Sequence, residues 1–303
     1  MIQLKCTYFF RGDSLFKAEN ITKQFEHFKL ENINFTLKPG ETLVIIGDNG
    51  SGKTSIINLI MGLIRPDSGR MELMGITELE DPITYKNNIG FIYDVFNFYP
   101  NLKLRDYKRI ISMFYSNFDE DMYEMYFRGF KLNPEEKIKN LSKGQCEKIM
   151  ITTALSHHAK LIIFDEPVYG MDKSVRDELV KIVRDYIKKE NASVILSTHS
   201  MYDIDDIYDK VMYIEQGKVI LNLSKEEVMR EFRIVRTSRD KLEDMKENIV
   251  AVEHYNRYSE ALIKIDGDET IRKILKNAEC HKIKNPDIED IIYYYKLGGE
   301  NND

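Results

Sequence analysis

Eight consecutive residues, Gly47-Asp48-Asn49-Gly50-Ser51-Gly52-Lys53-Thr54, place glycines, a lysine and a hydroxyl in the order G-x-x-x-x-G-K-[ST]. That order suits a chain of phosphates. Glycine lacks a Cβ, so successive backbone N–H groups can converge on anionic oxygens. Lys53 brings a full positive charge to β and γ phosphates, and the Thr54 hydroxyl is a ligand type for Mg2+. Ser55 follows in the same predicted helix, whose positive end faces the same anion. Gly47, Asp48, Asn49, Gly50, Ser51, Gly52, Lys53, Thr54 and Ser55 are therefore the candidate nucleotide-contacting residues.

A second constellation is Leu161-Ile162-Ile163-Phe164-Asp165-Glu166-Pro167, an apolar run ending in two acids. An apolar strand carries Asp165 to the edge of a sheet, where its carboxylate can hold Mg2+ through water. Glu166, one residue on, points elsewhere and can polarise an attacking water as a general base. A third stretch, Leu141-Ser142-Lys143-Gly144-Gln145, reads as a helix start. Ser142 is a good N-cap, Gly144 permits close approach, and residues 146–157 have helical character.

These groups need a scaffold. Thr42-Leu43-Val44-Ile45-Ile46 is a short β-branched run predicted as a buried strand, and residues 53–63 have helical spacing. Strand, glycine loop and helix together make a phosphate-binding βα unit. Residues 161–165 predict a second strand, with a helix over about 173–189. Residues 194–196 predict a third strand, ending in Ser197-Thr198-His199. Alternating strands and helices imply an α/β layer fold with a mostly parallel sheet. Residues 97–130 are helix-like and aromatic. From Ser224 the rhythm changes: helical 225–232, strand-like 249–254 and 261–265, then helical 269–276 and 288–295, a small α+β appendage.

Composition narrows the field. The 303 residues are 43% hydrophobic and 31% charged, enough for a packed core. The formal net charge is −6, where a broad nucleic-acid-gripping face would show a basic excess. Three cysteines, with no metal-ligand spacing among them, fit a reducing compartment. No signal peptide is read at the start, and no apolar stretch approaches the roughly 20 residues of a membrane-spanning helix.

Phosphate loop, Leu141–Gln145 pentapeptide and Asp-Glu pair, in that order, resemble the ATP-binding subunits of ABC transporters. The pentapeptide is similar to the family's LSGGQ signature, with Lys143 in place of the first glycine. The likeness spans residues 15–223 and carries further assignments. Phe25 takes the place of the aromatic that stacks on adenine. Asp172, in Gly170-Met171-Asp172, falls in the D-loop that touches a partner subunit. His199 resembles the switch histidine that senses the γ-phosphate. Ser142, Gly144 and Gln145 would contact nucleotide in trans, across a head-to-tail dimer. Asp94 stands where the family usually has a glutamine. It can accept hydrogen bonds, or hold a metal-bound water, but cannot donate.

The resemblance implies a P-loop NTPase fold with a RecA-like core, an antiparallel β-subdomain and a helical subdomain. The expected limits are an extension at 1–14, an ABC domain at 15–224 with its helical subdomain at about 95–155, and the appendage at 225–303. It also implies ATP and Mg2+ as ligands, and a homodimer or a heterodimer with a similar ATPase. A separate transmembrane subunit would be driven, in export rather than import, with the chain at the inner face of the cell membrane. Nucleic acid is not an expected partner. A soluble ABC ATPase acting on nucleic acid or ribosomes is the alternative. A P-loop kinase or GTPase would lack the pentapeptide.

Overall fold

The computed structural model describes residues 13–93, 96–166, 173–199, 208–277 and 283–300. Asp94 and Asp172 lie outside them, as does most of the charged run 202–210. The chain divides between Asn222 and Leu223 into two compact units, two residues before the expected 224/225 limit.

In the first unit the chain runs β1 (Phe16–Gln24), β2 (Lys29–Leu37), β3 (Thr42–Ile46), α1 (Lys53–Ile60), β4 (Ser68–Leu73), α2 (Pro82–Asn87) and β5 (Ile89–Ile92). Then come α3 (Leu104–Ile111), α4 (Glu120–Gly129), α5 (Lys143–Ser156), β6 (Leu161–Asp165), α6 (Lys173–Glu190), β7 (Ser193–Thr198), β8 (Lys210–Glu215) and β9 (Lys218–Ser224). Six strands form one sheet in the order β5-β6-β7-β3-β8-β9, and β5, β6, β7, β3 and β8 pair in parallel. Every residue of β3 is buried, as expected of a central parallel strand covered on both faces. A separate antiparallel sheet, β2-β1-β4, shows one-sided burial. Its Phe16, Leu30, Ile33 and Leu37 join Ile56, Ile57 and Ile60 of α1 and Leu43 and Ile45 of β3 in one apolar core. α1 is thus wedged between two sheets, which fixes where its N-terminus points.

The stretch 97–130, helix-like in sequence, is two short helices. Asp119 restarts the second by accepting from the Met122 N–H at 2.9 Å. Its aromatics divide: Tyr107, Tyr123, Phe127 and Phe130 are core, while Tyr99 and Phe114 are exposed. α5 lies directly on β5, because a Cβ at Gly90 would sit 2.7 Å from the Ala154 Cβ. Only glycine permits that approach.

The second unit begins with α7 (Lys225–Glu231), started by a Ser224/Glu227 capping box. Next come β10 (Phe232–Thr237), α8 (Arg239–Leu242) with a 3-10 turn, β11 (Ile249–His254), β12 (Ser259–Lys264), α9 (Asp268–Asn277), β13 (Ile283–Lys284) and α10 (Ile288–Glu300). The sheet order is β11-β12-β10-β13 and every pairing is antiparallel. Apart from the flanking α7 and α10, this is the split β-α-β-β-α-β arrangement of ferredoxin-like folds. It closes over Val235, Leu242, Met245, Ala261, Ile263 and Ile274.

Candidate functional site

The loop after β3 folds around its own lysine. The Lys53 side chain is only 4% exposed. Its Nζ donates to the carbonyls of Gly47 at 2.8 Å and Asp48 at 3.2 Å. A Cβ at Gly47 would lie 2.3 Å from the Ile214 carbonyl oxygen, so no other residue fits. Gly52, the N-cap of α1, has φ +113 and supplies no capping side chain, which leaves the first-turn N–H groups for an anion. Asp48, Asn49, Gly50 and Thr54 are exposed and Ser55 is half-buried. The Ser51 hydroxyl is buried with no protein partner.

Strand register then brings the acids and the histidine to this loop. Ile46 of β3 is level with Thr198 of β7, and Asp165 of β6 with Ser197. The carboxyl ends of β3, β7 and β6 therefore lie side by side, which is where open α/β sheets bind ligands. Glu166 Oε1 is 3.5 Å from Lys53 Nζ, and its Oε2 is 3.6 Å from His199 Nδ1. The Glu166 and His199 side chains are 32% and 37% exposed, so both remain partly open to solvent. An ammonium has three N–H groups. Two of those on Lys53 are held by loop carbonyls, and Glu166 lies in reach of the third.

Three contributors escaped the sequence reading. Ser197, buried at the end of β7, bonds both to Asp165 and to the Glu166 backbone. Tyr93, one residue past β5, has its hydroxyl pKa pushed up by burial and then by the charge of Asp165. Phe28 packs under the loop, within 2.8 Å of where a Gly52 Cβ would be. A lone serine, tyrosine or phenylalanine at an element end carries no spacing signal. Phe25 sits in the β1–β2 turn, its N–H bonded to the Phe28 carbonyl and its ring 5.9 Å from the Phe28 ring.

The pentapeptide forms a helix tip, as its sequence predicts. The Gln145 N–H donates to Ser142 Oγ at 3.3 Å, and the Ser142 N–H donates to Gln145 Oε1 at 2.9 Å. Ser142 and Lys143 are exposed, and Gly144 and Gln145 partly so. Across the same unit an aromatic cleft of about 450 Å³ is lined by Phe91, Tyr93, Phe96, Tyr107, Tyr115 and His157, among others. Leu63, Leu79, Ile83, Met113 and Phe114 are exposed apolar residues of this unit. Among the described residues no helix is long and apolar enough to cross a membrane. Nor, among them, do three or more His, Cys, Asp or Glu converge as metal ligands.

A phosphate loop with a buried lysine, set at the carboxyl edge of a parallel sheet beside two acids and a histidine, defines a P-loop nucleotide hydrolase. Comparison with known proteins narrows that class. The family model described as ABC transporter matches residues 30–169. The chain is 30% identical over 220 residues to the ABC-type transporter ATP-binding protein EcsA of Bacillus subtilis, covering 70% of this chain and 88% of that one. It is 28% identical over 212 residues to the bacitracin transport ATP-binding protein BcrA of Bacillus licheniformis, covering 68% and 69%. A solved ATP-binding subunit of an ABC transporter superposes with TM-score 0.66 at 26% identity, covering 72% and 92%. The dimeric post-hydrolysis cassette MJ0796, bound to ADP and Pi, shares the fold at TM-score 0.61 and 23% identity, covering 69% and 98%. The chain belongs to the family of ABC transporter ATP-binding subunits and is an ATPase of that type.

Proposed function

We propose that this chain drives a separate membrane-spanning subunit by closing on ATP as a dimer and reopening after hydrolysis. The observation that carries the proposal is the Lys53–Glu166–His199 array beside the phosphate loop. Backbone N–H groups of residues 47–55 and the buried Lys53 ammonium take the phosphates. The buried, unpartnered Ser51 hydroxyl and the uncapped start of α1 fit such an anion. An entering γ-phosphate competes with Glu166 for Lys53. The carboxylate so released accepts a proton from the attacking water. His199, its Nδ1 edge toward Glu166, presents the opposite edge to phosphate and registers its loss.

The Thr54 hydroxyl and the Asp165 carboxylate are hard oxygen donors suited to Mg2+. A bound Mg2+ would neutralise charge on the β and γ phosphates. Few protein ligands are needed where the phosphates and water complete the shell. Asp94 is assigned a water-mediated part, Phe25 the adenine ring, and Asp172 the partner subunit.

The Ser142–Gln145 tip, exposed at Ser142 and Lys143 and partly so at Gly144 and Gln145, is read as the surface that meets the nucleotide of the opposing subunit, a copy of this chain or a close relative. The aromatic cleft is read as the dock for the membrane subunit, its rings serving as anchors. That partner would hold the chain at the inner face of the cell membrane. The relatives named for bacitracin transport and linearmycin resistance favour export.

Glu166→Gln is the test. The variant is expected to bind ATP, to lose hydrolysis roughly a hundredfold or more, and to accumulate as an ATP-bound dimer by size-exclusion chromatography. Hydrolysis at the wild-type rate would remove Glu166 as the base, and a monomer under saturating ATP would remove the dimer.

A further inference from the structure

β7 lies between the strand that feeds the phosphate loop and the strand that ends in the acids. Ser197 is level with Ile45 of β3 on one side and with Asp165 of β6 on the other. It follows the apolar run Val194-Ile195-Leu196 and is 0% exposed. A hydroxyl there is costly unless it is fully bonded. It is: Ser197 Oγ donates to Asp165 Oδ1 at 2.7 Å and accepts from the Glu166 backbone N–H at 3.1 Å. One hydroxyl thus touches both acids by two different routes, the side chain of one and the main chain of the other.

The second route has a conformational consequence. Glu166 has φ +50, in the left-handed region that non-glycine residues seldom occupy. With its N–H held by β7, the chain turns there instead of continuing the strand. That turn accompanies the reach of the Glu166 carboxylate to Lys53 and His199.

We infer that Ser197 is the positioning residue of the hydrolytic site, orienting the Asp165 carboxylate toward its cation and fixing the backbone turn that aims Glu166. The inference rests on the proposed roles of those two acids. Alanine at this position keeps the packing and removes the hydroxyl. Threonine restores the hydroxyl on a side chain suited to a strand.

The experiment compares wild type, Ser197→Ala and Ser197→Thr as full-length chains. Three quantities are measured: kcat and KM for ATP hydrolysis, affinity for a fluorescent ATP analogue in EDTA, and Mn2+ binding to the analogue-loaded protein by electron paramagnetic resonance. Partners that orient metal ligands are typically worth about 10–100-fold in affinity or activity. Ser197→Ala is therefore expected to lose about 10–100-fold in kcat and to bind Mn2+ at least several-fold more weakly. Nucleotide affinity in EDTA should stay within about twofold, since the loop and Lys53 are untouched. Ser197→Thr should recover most of both losses.

Wild-type kcat and Mn2+ binding in Ser197→Ala would overturn the inference. So would a fall in kcat matched by equal losses of EDTA affinity and thermal stability, which would mark a packing role only. A loss that persists in a stably folded Ser197→Thr would overturn it too. If wild type itself fails to hydrolyse ATP, the functional reading falls, and Mn2+ binding alone still decides whether Ser197 orients Asp165.

Discussion

His157 closes α5 against β5, and acid should loosen that closure by a calculable amount. The ring is 1% exposed and stacks on Tyr115 with centroids 3.8 Å apart and planes 6° from parallel. Its Nδ1 lies 2.9 Å from the Thr153 carbonyl oxygen and its Nε2 lies 3.1 Å from that of Ile89. A neutral imidazole has one N–H for these two acceptors, so the carbonyls pull the pKa upward. Burial pulls harder, the neighbouring His158 adds to it, and the pKa falls from 6.5 to about 4. Between those values the unfolded chain binds a proton that the folded chain refuses, so stability is complete above the unfolded pKa and drains away as pH falls through the folded one. At 1.36 kcal/mol per unit, the drop from about pH 7.5 to about pH 4.5 costs roughly 2–3 kcal/mol from this residue alone. His157→Gln keeps an amide able to donate and removes the titration. Urea unfolding followed by circular dichroism at the two pH values should show wild type losing roughly 2–3 kcal/mol more than the variant. Parallel losses in the two proteins would refute the assignment of a neutral, acid-resistant His157, whatever the variant's stability at neutral pH.

Two further substitutions probe the path from α5 to the nucleotide. Gly90→Val drives a side chain into Ala154 and into Ala159, whose Cβ is only 3.1 Å from a modest Cβ at that position. Overpacking of this kind costs about 1–3 kcal/mol; a lowered thermal midpoint with ATP still bound and hydrolysis reduced is expected, and an unchanged midpoint would contradict the close packing. Ser142→Ala removes the cap bond to the Gln145 N–H, worth about 1 kcal/mol of local helix stability. Dimer formation in a Glu166→Gln background should weaken more than that stability loss, and a dimer of unchanged affinity would show that Ser142 does not meet nucleotide.

Sequence and structure agree where chemistry restricts residue type. The phosphate loop, the Asp165-Glu166 pair and the strands at 42–46 and 161–165 were all legible, because a buried parallel strand admits little but Val, Ile, Leu and Phe. The helix tip at Ser142 was equally plain from its capping residues. β10 was not. Phe232-Arg233-Ile234-Val235-Arg236-Thr237 sets arginines among its apolar residues, and only its place between β12 and β13 makes it a central strand. The sheet order of the second unit was hidden for the same reason: it depends on pairings such as Val235 with Ile283, made far along the chain. In the sequence Ser197 is only the polar end of a strand, since its two bonds exist only when β6 and β7 align.

Strand order also explains how residues far apart in the chain come to lie side by side at the site. The loop enters the sequence first and the histidine last, yet β3, β7 and β6 are consecutive in the sheet, so no strand separates loop, serine and acids. β5 follows next on the same side, and Tyr93, just past its end, both lines the aromatic cleft and senses the charge of Asp165. A displacement of β5 is therefore one ladder away from the Asp165 carboxylate. α5 sits on that same β5 through Gly90 and His157, while its far end carries Ser142. Cleft, helix tip and acid edge therefore all border β5: the cleft through Phe91, the helix through Gly90 and His157, and the acids through the β5–β6 ladder.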